Sequence, residues 1–148
     1  MHILLDAGPL GMASNPNTRG PAAEAREWMK RHIDAGDRFF VPEIADYEVR
    51  RELMRANKAH GISRLDAMAE LGYLRLTTET MRDAAMLWAE ARNRGQPTAS
   101  NTALDGDVIL AAQARAHAAA NPDRDIVIAT TNVAHLSRYA DARLWREM

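Results

Sequence analysis

The run Ile126-Val127-Ile128, held between Asp125 and Thr130, restricts the fold more than any other feature. An unbroken β-branched run of this length reads as a strand buried on both faces. Such strands belong to parallel sheets covered by helices. The rest of the chain supplies the alternation that a parallel sheet requires. His2 to Asp6 reads as a short strand cut off by Ala7-Gly8-Pro9. Pro21 to Ala35 reads as a helix, with Pro21 in its first turn and Gly36 just past its end. Arg38 to Val41 is a second strand, and Pro42 opens a long helix through Ala59. Ser63 is placed to cap a short helix to Leu71. Tyr73 to Leu76 is a third strand, and Thr78 is placed to cap a helix over Glu79 to Arg94 that Gly95 stops. Asp105 is placed to cap a helix from Gly106 to Ala119, ended by Asn121-Pro122. After Asp125 to Thr130 come a short helix and a last strand over Ala142 to Trp145. The two loop candidates are Asn15 to Gly20 and Gly95 to Ala103. The expected fold class is α/β: a three-layer α/β/α sandwich with a mainly parallel central sheet, formed by residues 1–148 as one domain.

Composition narrows the function classes. The sequence has 148 residues and no cysteine, so neither a disulfide framework nor a thiolate metal site is available. The apolar stretch after Met1 ends at Asp6, and no window approaches a membrane span; a cytoplasmic protein is the expectation. The net charge of -1 is not the signature of a protein that holds nucleic acid by bulk electrostatics, and it leaves open an enzyme that meets nucleic acid through a local basic patch and a metal ion. The basic residues are mostly Arg, which suits phosphate and also follows from a GC-rich genome.

Parallel sheets place their sites at the carboxyl ends of strands, where strand order reverses. Asp6 closes the first strand there, as readily a helix cap as a site residue. Asp105 and Asp107 open a helix at the same edge. Asp107 begins a stripe completed by Leu110, Ala111 and Ala114, and a charge on a core-facing stripe needs compensation. The macrodipole supplies roughly 0.3–1 kcal/mol, too little for a buried carboxylate beside another. In the helix after Pro42, Glu48 and Glu52 flank the apolar stripe Ala45, Val49, Leu53 and Ala56. Spacing leaves both open, and the backward lean of helical side chains puts Glu48 nearer the edge. Asp6, Glu48 and Asp107 together would repel one another strongly, and a hard oxygen-liking cation, Mg²⁺ or Mn²⁺, would relieve this. Such an ion serves phosphodiester hydrolysis. Zinc is disfavoured by the absence of Cys and of a helical His pair.

Four blocks in order resemble PIN domains: HILLD at His2 to Asp6, VPEIADYEVRREL at Val41 to Leu53, LDGDVILAAQA at Leu104 to Ala114, and IATTNVAHL at Ile128 to Leu136. The likeness is nearest to VapC-type toxins of bacterial toxin–antitoxin pairs. It implies an Mg²⁺- or Mn²⁺-dependent endoribonuclease, a homodimer and an antitoxin partner that blocks the site. It implies catalytic and metal-binding roles for Asp6, Glu48 and Asp107, choosing Glu48 over Glu52, with Asp105 as an auxiliary. Many relatives carry a further Asp where this chain has His135. That departure bears on a second metal more than on the first. His135 is a candidate phosphate donor when protonated, or a surface or capping residue. Thr130, Thr131 and Asn132 are candidates to hold water or phosphate. Arg50 and Arg51 are candidates for RNA phosphates, or for flank salt bridges to Glu48 or Glu52. Trp28, Trp88 and Trp145 read as core or interface. Two other readings compete: a PIN-fold module that binds RNA or protein without catalysis, which His135 motivates, and a receiver-like domain, which the lack of a Lys after Thr130 disfavours.

Overall fold

The computed structural model describes residues 1–96 and 105–148. Gly95 to Ala103, read as a loop, lies past Gln96 outside the described residues, as does Leu104. The chain begins with strand β1 (His2–Leu5) and helix α1 (Ala7–Ser14), followed by α2 (Pro21–Asp34) and β2 (Arg38–Pro42). Then come α3 (Glu43–Arg55), α4 (Ala59–Ala69), β3 (Tyr73–Leu74) and α5 (Thr78–Asn93). From Gly106 onward follow α6 (Gly106–Ala120), β4 (Ile126–Thr130), α7 (Val133–Leu136) and β5 (Ala142–Leu144), with a 3₁₀ turn over Trp145–Glu147.

The strands form one sheet in the order β3-β2-β1-β4-β5, and every pairing is parallel. Strand alternation splits the core into two layers. Ile3, Leu5, Phe39, Val41, Val127 and Ala129 face one side, where Leu10, Ala25, Trp28, Val49 and Leu65 of α1 to α4 cover them. Leu4, Phe40, Ile128 and Ala142 face the other, under α5, α6 and α7 through Leu87, Ile109, Ala112 and Leu136. The expected three-layer α/β/α architecture is therefore present. Strand order reverses at β1, which sends the chain outward on one side through β2 and β3 and on the other through β4 and β5. Among the described residues no helix is long and apolar enough to cross a membrane.

Several boundaries differ from the sequence reading. The helix expected from Pro42 through Ala59 ends at Arg55, and the short helix expected from Ser63 begins earlier, at Ala59. Asn57 breaks it with φ +53°, the left-handed region. Lys58 N donates to Leu53 O at 2.9 Å and Asn57 N to Met54 O at 3.1 Å, which satisfies the last carbonyls of α3. Gly36 and Gly95 end α2 and α5 in the same way, with φ +89° and +68°. Ala56, placed on the apolar stripe, falls at this break and is exposed. Ser63 lies inside α4 and returns its hydroxyl to Ala59 O rather than capping a helix. The cap of α5 is Thr77, whose Oγ1 accepts from Thr80 N at 3.1 Å, not Thr78. β3 stops at Leu74 because Leu76 N donates to Glu43 Oε2 instead of extending the ladder. Trp145 leaves the last strand to pack at 5.5 Å from Trp28, and both indoles are buried. Trp88 is partly buried under the guanidinium of Arg92.

The break at Asn57 yields a test. Asn57→Gly should keep or slightly raise stability, since glycine adopts this conformation freely. Asn57→Ala should lower it by about 1–2 kcal/mol, the cost of a left-handed Cβ. Urea midpoints measure both.

Candidate metal site at the carboxyl edge

Asp6 follows β1 directly and caps α1, its Oδ1 accepting from Ala7 N at 2.7 Å. Its second oxygen accepts from Thr130 Oγ1, also at 2.7 Å, across the junction of β1 and β4. The cap and site readings of Asp6 thus coexist in one carboxylate. Thr130 is fully buried, and its Oγ1 also accepts from Asn132 N at 2.9 Å. The hydroxyl is therefore spent on positioning Asp6 and the following turn. Thr130 is not a residue for water or phosphate, as the sequence had suggested.

Glu48 reaches the same edge from α3. A Cβ built on Gly106 would stand 2.6 Å from Glu48 Oε1. The missing side chain at Gly106 is what lets this carboxylate lie against the first turn of α6, where the helix dipole favours it. Glu52, one turn further on, is exposed and paired with Arg55 at 2.7 Å. Asp105 is buried and caps α6, its Oδ1 accepting from Val108 N at 3.4 Å. Asp107, next but one, has a side chain 31% exposed, while Leu110, Ala111 and Ala114 on its stripe are buried. Its Oδ2 meets His135 Nδ1 at 3.1 Å. The carboxylate can only accept, so Nδ1 carries the proton and Nε2 is left unprotonated while the ring is neutral. His135 therefore occupies the expected acid position by gripping an acid.

The electrostatics bind these groups together. Burial raises the pKa of Glu48 above its ordinary value, and the charges of Asp6 and Asp107 raise it further, against a lowering by Arg51. Burial likewise raises Asp107, with Asp6 and Asp105 adding to it, while the hydrogen bond from His135 opposes. Glu48 and Asp107, whose ionisation is disfavoured, make with Asp6 an oxygen donor set suited to a hard divalent cation. Among the described residues no three His, Asp or Glu side chains already stand at ligand spacing. Side-chain rotation would have to bring the oxygens onto one ion.

The remaining candidates separate clearly. Thr131 is exposed and packs on Gly8, where a Cβ would meet its Oγ1 at 2.7 Å. Asn132 is exposed, with its Nδ2 3.4 Å from His135 Nδ1. Arg51 lies over the Tyr47 ring at 5.2 Å, beside Glu48. Arg50 pairs with neither Glu48 nor Glu52. Asp46 holds it through two bonds of 3.0 and 2.8 Å, and Asp66 of α4 through one of 2.7 Å. It is a cation that ties α3 to α4. Sequence reading missed Gly106 and Asp46. Asp46 lies four residues before Arg50, a helical ion-pair spacing that was available as a signal.

No family model and no curated protein matches the sequence. Solved structures do match. One is a chain in the crystal structure of VapBC2 from Rickettsia felis bound to a DNA fragment from their promoter: TM-score 0.71, 15% identity, 97% of this chain and 98% of that chain covered. Another is in the structure of VapBC-1 from nontypeable Haemophilus influenzae: TM-score 0.68, 16% identity, 98% of each chain covered. Likeness at this identity is one of fold, and the fold is PIN-like, as the sequence blocks implied.

The raised pKa values carry a stability consequence. A carboxyl raised on folding stabilises the fold below the ordinary carboxylate range and loses that contribution as pH rises through its folded value. At neutral pH, ionised Glu48 and Asp107 therefore cost stability in metal-free protein. Glu48→Gln and Asp107→Asn should each raise the melting temperature in EDTA at pH 7 by about 2–4 °C, the shift that about 1 kcal/mol gives a domain of this size. The gain should shrink toward about pH 4. Scanning calorimetry across that range checks the direction; a loss at pH 7 would contradict the electrostatic account.

Proposed function

We propose that residues 1–148 form one domain acting as a metal-dependent endoribonuclease in the cytoplasm, the toxin member of a toxin–antitoxin pair. The convergence of Asp6, Glu48 and Asp107 on the carboxyl edge of a PIN-like sheet is the observation that carries this reading. The solved structures of like fold, both of VapBC, support it. Asp6, Glu48 and Asp107 would hold Mg²⁺ or Mn²⁺. Bound there, the ion would polarise a phosphodiester and lower the pKa of a water.

The chain's own residues have distinct parts in this reading. Thr130 fixes the rotamer of Asp6 by donating to Oδ2. Gly106 admits Glu48 to the first turn of α6. Asp105 starts that helix and so places Asp107. His135 steadies Asp107 through Nδ1 and keeps Nε2 to donate to a phosphate oxygen once the ring is protonated. Thr131 and Asn132, exposed at the same edge, offer further donors, and Arg51 offers a cation beside Glu48. A homodimer and an antitoxin that covers this edge complete the proposal.

Purified protein should cut RNA with Mn²⁺ or Mg²⁺ and stop in EDTA. Asp6→Asn and Asp107→Asn should each lower the rate by about 10²–10³-fold, the loss seen on removing one preorganised stabilising group. Wild-type rates from Asp107→Asn would sink the site assignment. RNA binding without turnover in either metal would instead favour a binding module.

Gly106→Ala separates positioning from folding. Alanine is the better helix residue by about 1 kcal/mol, so the melting temperature should hold. Displacing Glu48 should cost about 10²-fold in rate. Full activity in G106A would remove Glu48 from the mechanism.

A further inference from the structure

The opposite edge of the sheet carries a second constellation that the acid site does not use. β1, β2 and β4 begin there side by side, with His2 in register with Arg38 on one flank and Ile126 on the other. Backbone bonds brace the edge: His2 N donates to Asp125 O at 2.8 Å and Arg38 N to Met1 O at 3.1 Å. Between them opens a cavity of about 310 Å³ lined by Met1, His2, Gly36, Arg38, Asn121 and Arg124.

The buried histidine in this wall is hydrogen-bonded to a second one. Asn121 Nδ2 donates to His117 O at 2.8 Å, which orients the amide, and lies 3.5 Å from His117 Nδ1. One proton lies between His117 Nε2 and His2 Nδ1, 2.9 Å apart. Burial, followed by the charges of Arg38 and Arg124, holds His2 below the usual imidazole range. Burial holds His117 below it too, so the pair is neutral.

The charge comes from the two arginines. Arg50, Arg55, Arg143 and Arg146 all meet carboxylates. Arg124 makes no ion pair or side-chain hydrogen bond among the described residues, although Asp123 and Asp125 flank it in sequence. Arg38 only lies over the Phe40 ring, at 5.3 Å. Asp37, next to Arg38, is already taken by the chain's amino group at 2.6 Å and by His32 at 2.7 Å. The wall therefore presents two unspent guanidinium forks beside a neutral imidazole. Guanidinium forks match the oxygens of a phosphate, and two of them balance a dianion.

We propose that this cavity binds a doubly charged phosphate group, either inorganic phosphate or the terminal phosphate of a mononucleotide. His2 and Asp6 lie at the two ends of β1, about 13 Å of strand apart, so a phosphate held here is not one undergoing reaction at the acid edge.

The test is a titration of EDTA-treated full-length protein with inorganic phosphate at fixed ionic strength, followed by imidazole and guanidinium ¹⁵N NMR. Parallel arms use adenosine 5′-monophosphate, sodium chloride, and an RNA oligomer lacking terminal phosphates. Phosphate, the nucleotide or both should shift the His2 Nε2 resonance saturably, and which of them does so identifies the source. Arg38→Gln and Arg124→Gln should each weaken binding by about tenfold, with circular dichroism unchanged. Asp6→Asn should bind as wild type. Equal responses to chloride, or wild-type affinity in both arginine variants, would overturn the proposal. So would RNA binding that neither phosphate nor the nucleotide displaces.

Discussion

The hydrogen bond from Thr130 Oγ1 to Asp6 Oδ2 joins the two strands between which the sheet reverses direction. Everything at the carboxyl edge is referred to it. Asp6 would otherwise be a cap at the start of a short helix, free to turn about χ1 toward solvent. With one oxygen on Ala7 N and the other on a buried hydroxyl, the carboxylate has a single orientation. The same hydroxyl accepts from Asn132 N and so fixes the turn that leads to His135. One threonine thereby coordinates the residues after β1 with those after β4, 124 positions apart in sequence.

Much of this was legible in the sequence because it follows from periodicity. The buried run at Ile126 to Ile128, the apolar opening strand and the glycines after α2 and α5 fix the alternation of elements. The alternation fixes which edge carries Asp6, Asp105 and Asp107. What escaped was of another kind. The break at Asn57 depends on one residue taking a left-handed conformation inside a continuous helical pattern. Thr130 reads from sequence as an exposed donor because nothing local says that its neighbour across the sheet is a carboxylate. Arg50 looked like a flank residue for Glu48, and only the approach of α4 supplies Asp66. Each miss is a long-range pairing or a single backbone angle, and neither leaves a periodic trace.

His135 alters the balance of the acidic edge rather than merely removing a ligand. An aspartate there would add a fourth negative charge to groups whose pKa values are already raised. The imidazole donates to Asp107 instead, lowering the repulsion that the other carboxylates impose. The edge is thus less dependent on an ion for its neutralisation than a four-acid edge would be.

The two ends of the sheet also differ in how their charges are met. Asp6, Glu48 and Asp107 stand where the strands finish, and Arg38 and Arg124 stand where β1, β2 and β4 start, beside an Asp37 already held by the amino group and His32. The apolar core of the sheet lies between these two groups. An anion taken up at one end would therefore leave the carboxylates at the other end unneutralised, and each end has to find its own counter-charge.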